Sequence, residues 1–276
     1  MPSPQEIIRM RVVHTVPGMD RVRVRRGLGY RRLGDLSLEM DVYAPAGSGV
    51  DVRLPAVILV HGGPIPSQAR PKDWAVFVSY GELLAASGLV AVTFNHRFND
   101  GSQLAEAASD VAVAVDYVRS HADDLGIDAE RLALWAFSGG GPFLSESLRS
   151  RPPFVRALVA FYAVMDLQVP PPGGGSGISD DTRRDCSPLH HLATGTGSVP
   201  PILVARAGQD NPWLNASVDR FIQEGLARNV SLDVLTHPAG QHAFDILDDD
   251  QRSHEIIART LAFLTHHLGL GAVRVR

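Results

Sequence analysis

Ser138 stands where an apolar run stops: Leu132-Ala133-Leu134-Trp135-Ala136-Phe137 precedes it and Gly139-Gly140-Gly141 follows. A run this short and this abruptly ended reads as a strand buried on both faces rather than as a helix. Glycine after the serine permits a sharp turn, because no Cβ obstructs the backbone. A serine on such a strand-to-helix turn exposes its Oγ at the end of a sheet, the nucleophile elbow whose usual pattern is G-x-S-x-G. Ala136 takes the place of the first glycine here. The chemistry on offer is attack by a hydroxyl, which needs a base to take its proton and a further group to orient that base.

Such a turn works only if a sheet carries it. Further short apolar runs occur at 55–60, 89–94, 157–162, 202–207 and 231–236, each of strand length. Between them lie apolar residues at helical spacing: Val76, Phe77, Tyr80, Leu83 and Leu84; then Leu104, Ala108, Val111, Val115 and Val118. Helices are also expected over about 215–228 and from Asp249 onward, with Ile256, Ile257, Leu261 and Leu264 facing inward. Before these, Val22, Val24 and Leu28, then Leu36, Leu38, Met40 and Val42, alternate as half-buried antiparallel strands do. A short helical piece is expected at Glu6 to Met10. Strands alternating with helices predict an α/β fold: a mostly parallel central sheet with antiparallel N-terminal strands and helices on both faces. With no linker or repeat, one domain spans residues 1–276. The segment 166–200 is rich in proline, glycine and polar residues and reads as a lid-like insertion, with at most a short helix near Pro188 to Leu192. Pro170 to Pro172 reads as a stiff loop, and Ala46 to Gly49 as another loop.

In an open parallel sheet, reactive loops gather at the carboxyl ends of the strands. Four polar motifs stand at such ends: His61-Gly62-Gly63, Ser138, Asp210 and His242. The order Ser, Asp, His is that of the α/β-hydrolases among serine-hydrolase folds. The pieces DVYAP, HGGP, TFNHR, LGIDAERLALWAFSGGG, SPL at 187–189, ARAGQD and GQHAF, in this order over residues 30–265, complete the likeness. The chain resembles the α/β-hydrolases, and among them the carboxylesterase/acetylesterase and dienelactone-hydrolase-like branches.

That resemblance implies a serine carboxylesterase of small esters, working through an acyl-enzyme without a cofactor or a metal. It implies Ser138 as nucleophile, His242 as general base and then acid, and Asp210 as the group that fixes the histidine tautomer. The N–H of Gly139 and that of Gly62 or Gly63 would form the oxyanion hole. Pro64 replaces the third glycine of the HGGG pattern and has no N–H, which leaves two donors and favours small acyl groups. Trp74, Phe137, Trp213 and Phe244 adjoin these loops and are candidates for the substrate pocket.

Each assignment has a competitor. Asp210 could instead cap the next helix, with Asp245 and Asp166 as other carboxylates. His237 competes with His242 but precedes a proline at the strand. His61 reads as a residue that holds the oxyanion turn. His190, His191, His266 and His267 lack a third ligand at metal-site spacing. A peptidase or acyl-aminoacyl hydrolase of the same fold, and a non-catalytic ligand-binding relative, are the alternative functions.

Composition sets the outer bounds. Of 276 residues, 45% are hydrophobic and 20% charged, which suits an ordinary globular core. A net charge of −4 gives no reason to expect nucleic acid or an anionic membrane as partner. The arginines between 21 and 32 alternate with apolar residues and read as a solvated strand face. Cys186 is the single cysteine, so no internal disulfide forms. No stretch approaches the 18 apolar residues of a membrane span, and the first residues lack a signal-type apolar core. The expected setting is the cytoplasm, the expected partner a small ester, with pairing of the last strand in a homodimer left open.

Overall fold

The computed structural model describes residues 3–47, 52–170 and 177–270. Each apolar run forms a strand, and His61, Asn95 and Ser138 begin the loops that follow β3, β4 and β5. The order is α1 (Pro4–Ile7), β1 (Arg23–Leu33), β2 (Leu36–Ala44), β3 (Leu54–Val60), α2 (Ala75–Ala86), β4 (Val90–Phe94), α3 (Leu104–Ser120), α4 (Ala122–Leu125) and β5 (Ile127–Phe137). There follow α5 (Ser145–Ser150), β6 (Val155–Phe161), α6 (Asp180–Asp185), α7 (Pro188–Thr194), β7 (Ile202–Ala207), α8 (Pro212–Ala227), β8 (Leu232–His237), α9 (Phe244–Leu247) and α10 (Gln251–His267).

The eight strands make one sheet in the order β1-β2-β4-β3-β5-β6-β7-β8. β2 runs antiparallel to both β1 and β4, and every other pairing is parallel. The strands are apolar on both faces because helices cover both. Ala56, Ile58 and Val60 of β3 join a core with α3, α5 and α8, whereas Val57 and Leu59 join a second core with α2 and α10. This alternation follows from the two-residue period of a strand. β5 lies between β3 and β6, with Ala136 opposite Val60 on one side and Ala160 on the other. Residue 137 therefore ends at the middle of the sheet, and Ser138 emerges between the loops of its neighbours.

The 166–200 segment differs from expectation in carrying two helices, α6 as well as α7. Its latter half is fastened rather than free. Leu189 N–H donates to the Met165 carbonyl, Ser187 Oγ–H to Asp166, and Arg220 of α8 closes on the same carboxylate at 2.7 Å. Cys186, Ser187 and Leu192 are buried. Pro171, Pro172, Ser48 and Gly49 lie outside the described residues.

The residues ahead of β1 bind to later parts of the chain. Ala75 N–H donates to the Ile8 carbonyl, Val12 N–H to Ser79 Oγ of α2, and Val13 N–H to the Asp245 carbonyl. His14 meets His254 of α10, ring nitrogen to ring nitrogen at 3.3 Å. Among the described residues, no helix is long and apolar enough to cross a membrane.

Candidate active site

The elbow has the backbone its sequence requires. Ser138 sits at φ 52°, in the left-handed region that non-glycine residues rarely adopt, which costs about 1–3 kcal/mol unless the surroundings impose it. They do so by close approach. A Cβ on Gly139 would lie 2.1 Å from the Gly63 carbonyl oxygen, and one on Gly62 would lie 2.9 Å from Ser138 Cβ. Only hydrogen at these two positions lets the turn after β3 press against the turn after β5. Val164 N–H then donates to the Ser138 carbonyl at 2.9 Å, which ties the far side of the elbow to the loop after β6.

Two further loops meet it. Gly208 N–H donates to the His237 carbonyl and Gln209 N–H to the Gly240 carbonyl, lacing the loop after β7 to the loop after β8. The lacing brings Asp210 Oδ2 to 2.6 Å from His242 Nδ1, and His242 Nε2 lies 2.9 Å from Ser138 Oγ. In a neutral ring this means Nδ1–H donates to the carboxylate while Nε2 accepts from the serine hydroxyl. The Asp210 side chain is 3% exposed and that of His242 41%, so the carboxylate is shielded while the ring stays open to solvent. Asp210 also accepts from Asn211 N–H at 2.6 Å, and the capping of α8 falls to Asn211, whose side chain accepts from Trp213 N–H.

The turn Gly62-Gly63 is held from behind by two stacked histidines. His61 and His96 lie ring on ring, centroids 3.6 Å apart and nearly parallel. His61 Nδ1–H donates to the Gly62 carbonyl at 2.7 Å, while its Nε2 accepts from His96 N–H. His96 Nε2–H donates to the His61 carbonyl at 3.1 Å. Burial pushes the His61 imidazole down to about 4, and burial beside His61 drives His96 well below its ordinary value. Both are neutral near pH 7, as these bonds require. In the same loop, Lys72 bridges Asp41 of β2 at 3.0 Å and Asp73 at 2.7 Å, and its own N–H donates to Asn95 Oδ1. This network anchors the loop after β3.

The competing groups are engaged elsewhere. His237 is buried with Nε2 on Asp250 at 3.1 Å. Asp166 is occupied by Ser187 and Arg220, and Asp245 by two tyrosine hydroxyls. His191 Nε2 bonds the Asp185 carbonyl, and among the described residues no three His, Cys, Asp or Glu side chains group as metal ligands. Cys186 is buried, and that burial pushes its thiol up to about 11.

The four pocket candidates divide. Phe137 and Phe244 belong to the core: both are buried, and both pack on Phe161 and Tyr162. They have no free face for a ligand because strand alternation turns Phe137 inward and α9 does the same for Phe244. Trp74 and Trp213 are half-buried, and Trp213 Nε1–H donates to the Val169 carbonyl at 2.9 Å. Sequence reasoning passed over His96 and Tyr162. His96 had a signal, since it stands at the carboxyl end of β4 in TFNHR. Tyr162 had none, because nothing in its neighbours announces φ 37° or an edge-on contact with the His242 ring, centroids 4.8 Å apart.

This geometry can be set beside known proteins. The structure superposes on Est2, a thermophilic esterase from Thermogutta terrifontis, with a TM-score of 0.73 and 20% identity over 98% of this chain and 100% of that one. A Salmonella typhi protein named for carboxymethylenebutenolidase is 28% identical over 50% of this chain and 45% of its own length. "Probable carboxylic ester hydrolase LipM" of Mycobacterium tuberculosis is 26% identical over 67% of this chain and 50% of its own length. The chain thus spans about half the length of the curated relatives it matches. The BD-FAE family model matches residues 40–148, and the dienelactone hydrolase model matches residues 95–268, which takes in Ser138, Asp210 and His242 together. With more than half the chain matched and the expected α/β-hydrolase fold in place, the protein belongs to the dienelactone hydrolase family.

Proposed function

We propose that the protein is a serine carboxylesterase that hydrolyses small esters through an acyl-enzyme. The observation that carries this reading is the unbroken chain from Ser138 Oγ to His242 at 2.9 Å and on to Asp210 at 2.6 Å, set against the Gly62-Gly63 turn. His242 Nε2 takes the hydroxyl proton as Oγ attacks the ester carbonyl, and Asp210 stabilises the imidazolium that forms. The imidazolium then protonates the departing alcohol. Water, deprotonated by the same nitrogen, attacks the acyl-enzyme and restores the serine.

The tetrahedral oxygen carries negative charge and needs donors that are already in place, each worth about 3 kcal/mol. Gly139 N–H is one. For the other, the His61 bond favours Gly63: a trans peptide points its C=O and N–H in opposite directions. With the Gly62 carbonyl held by His61, the N–H of the same peptide unit, which belongs to Gly63, points away from that ring. Short acyl groups fit the missing third donor at Pro64, and the fold neighbour Est2 has been solved with propionate and with butyrate bound.

Purified protein should hydrolyse p-nitrophenyl acetate and butyrate, and Ser138→Ala should lower kcat by about a thousandfold or more. A fluorophosphonate should label Ser138 alone. A wild-type rate no greater than that of Ser138→Ala would refute the esterase reading and favour a ligand-binding relative.

A further inference from the structure

Asp245 lies three residues past His242 and is wholly buried, yet the reaction above makes no use of it. Its Oδ2 accepts from the Tyr80 hydroxyl at 2.7 Å and its Oδ1 from the Tyr162 hydroxyl at 2.6 Å. Burial raises the Asp245 carboxyl above its usual value, and the two hydroxyl donors, one on each oxygen, pull it back toward the ionised form. The tyrosines remain donors, because burial and Asp245 hold both well above their ordinary value. Tyr162 is the link to the site: its backbone is left-handed at φ 37° and its ring meets His242 edge-on. An enclosed carboxylate is costly and persists only where its partners are well placed. Here those partners come from α2 and the end of β6, and the Asp245 main chain receives Val13 N–H as well.

We propose that Asp245, acting through Tyr162, is a positioning residue for His242: it fixes the angle at which the ring reaches Ser138 and supplies a second negative charge when the ring takes the proton. The proposal rests on the reading of His242 as the general base. The groups facing His242 are Asp210, Ser138 and Tyr162, while Tyr80, Tyr162 and His242 face Asp245. The other acids of this loop are taken, Asp248 by Gln241, Asp249 by His254, and Asp250 by His237 and Ser253.

The test is the pH profile of kcat/KM for p-nitrophenyl butyrate with wild type, Asp245→Asn and Tyr162→Phe, beside 1H NMR titration of the His242 ring. An anion behind the ring favours its protonated form, so removing it moves the acid limb to lower pH. Asp245→Asn should move the limb, and the ring's titration midpoint, down by about half a pH unit. Its plateau should drop on the order of tenfold through a looser ring. Tyr162→Phe makes the carboxylate harder to ionise and should move both readouts the same way by less, which decides the matter if Asp245→Asn does not fold. Folded variants whose limb and ring midpoint coincide with wild type would overturn the proposal. An inactive wild type would instead sink the esterase reading, and the ring midpoints would still decide this one.

Discussion

Replacing Gly62 with alanine adds one methyl group at the most crowded place in the site. The new Cβ would lie 2.9 Å from Ser138 Cβ, 3.0 Å from the Phe137 carbonyl oxygen and 3.2 Å from Gly139 N, where ordinary contact begins at 3.4 Å. Two of these neighbours are backbone and the third is the first atom of the nucleophile, so none can swing aside. The turn and the elbow must part by several tenths of an ångström. Overpacking of this kind costs stability by about 1–3 kcal/mol. The rate should suffer through a separate route, because the parting moves Gly63 N–H away from the oxyanion. Losing one such donor costs about 3 kcal/mol of transition-state stabilisation, or about a hundredfold in kcat. KM should stay within about threefold, since the ground-state ester carries little of the charge involved. The assay is kcat and KM for p-nitrophenyl butyrate, with a denaturant midpoint to confirm folding and fluorophosphonate labelling to confirm that Ser138 remains reactive. A folded Gly62→Ala protein with kcat within about threefold of wild type would refute the role given to this turn.

Asp210→Asn should lower kcat by about ten-thousandfold with the fold intact, because an amide lets His242 settle in the wrong tautomer; His237→Ala, measured alongside, should leave labelling of Ser138 unchanged. Stability should fall as pH drops from 6.5 toward 4, since the unfolded chain takes up a proton at His61 that the folded chain refuses until about 4. That gap alone amounts to about 3 kcal/mol, with His96 adding in the same direction, and urea midpoints measured across this window would show a flat profile if the stacked pair were solvated. Lys72→Met should cost about 3 kcal/mol by removing the buried cation from Asp41, which keeps only the exposed Arg26 at 3.2 Å and the Gly27 N–H at 2.8 Å; thermal denaturation checks it, and an unchanged Tm would mean that Arg26 and Gly27 suffice as partners.

What could be read in the sequence followed the reach of the signal. Strands β3 to β7 showed as apolar runs because both faces of each are covered, and the elbow showed because its close contacts demand glycine at fixed positions. Ser138, Asp210 and His242, which the structure brings into one hydrogen-bonded series, stood out in the sequence by their places at strand ends. The pocket aromatics were harder, since adjacency to a catalytic loop does not say which way a ring points: Phe137 and Phe244 turned inward. Helix α6 was missed because Asp180-Asp181-Thr182-Arg183-Arg184-Asp185 has no apolar stripe. The bonds from Tyr80 and Tyr162 to Asp245 join residues 165 and 83 positions apart, with no local pattern in either tyrosine's surroundings to pair them.

The segment ahead of β1 bears on how the protein is made. Val13 waits for Asp245 and His14 for His254, a separation of 240 residues in the second case. A ribosome adds about 5–20 residues per second, so Val13 and His14 stand without these partners for roughly 10–50 s. His242, the proposed base, also comes late, in the loop after β8. Ser138 therefore stands without its hydrogen-bond partner until 104 more residues have been added. Removing residues 13 and 14, far from Ser138 in sequence, would take away the bonds they make to Asp245 and to His254, just beyond His242.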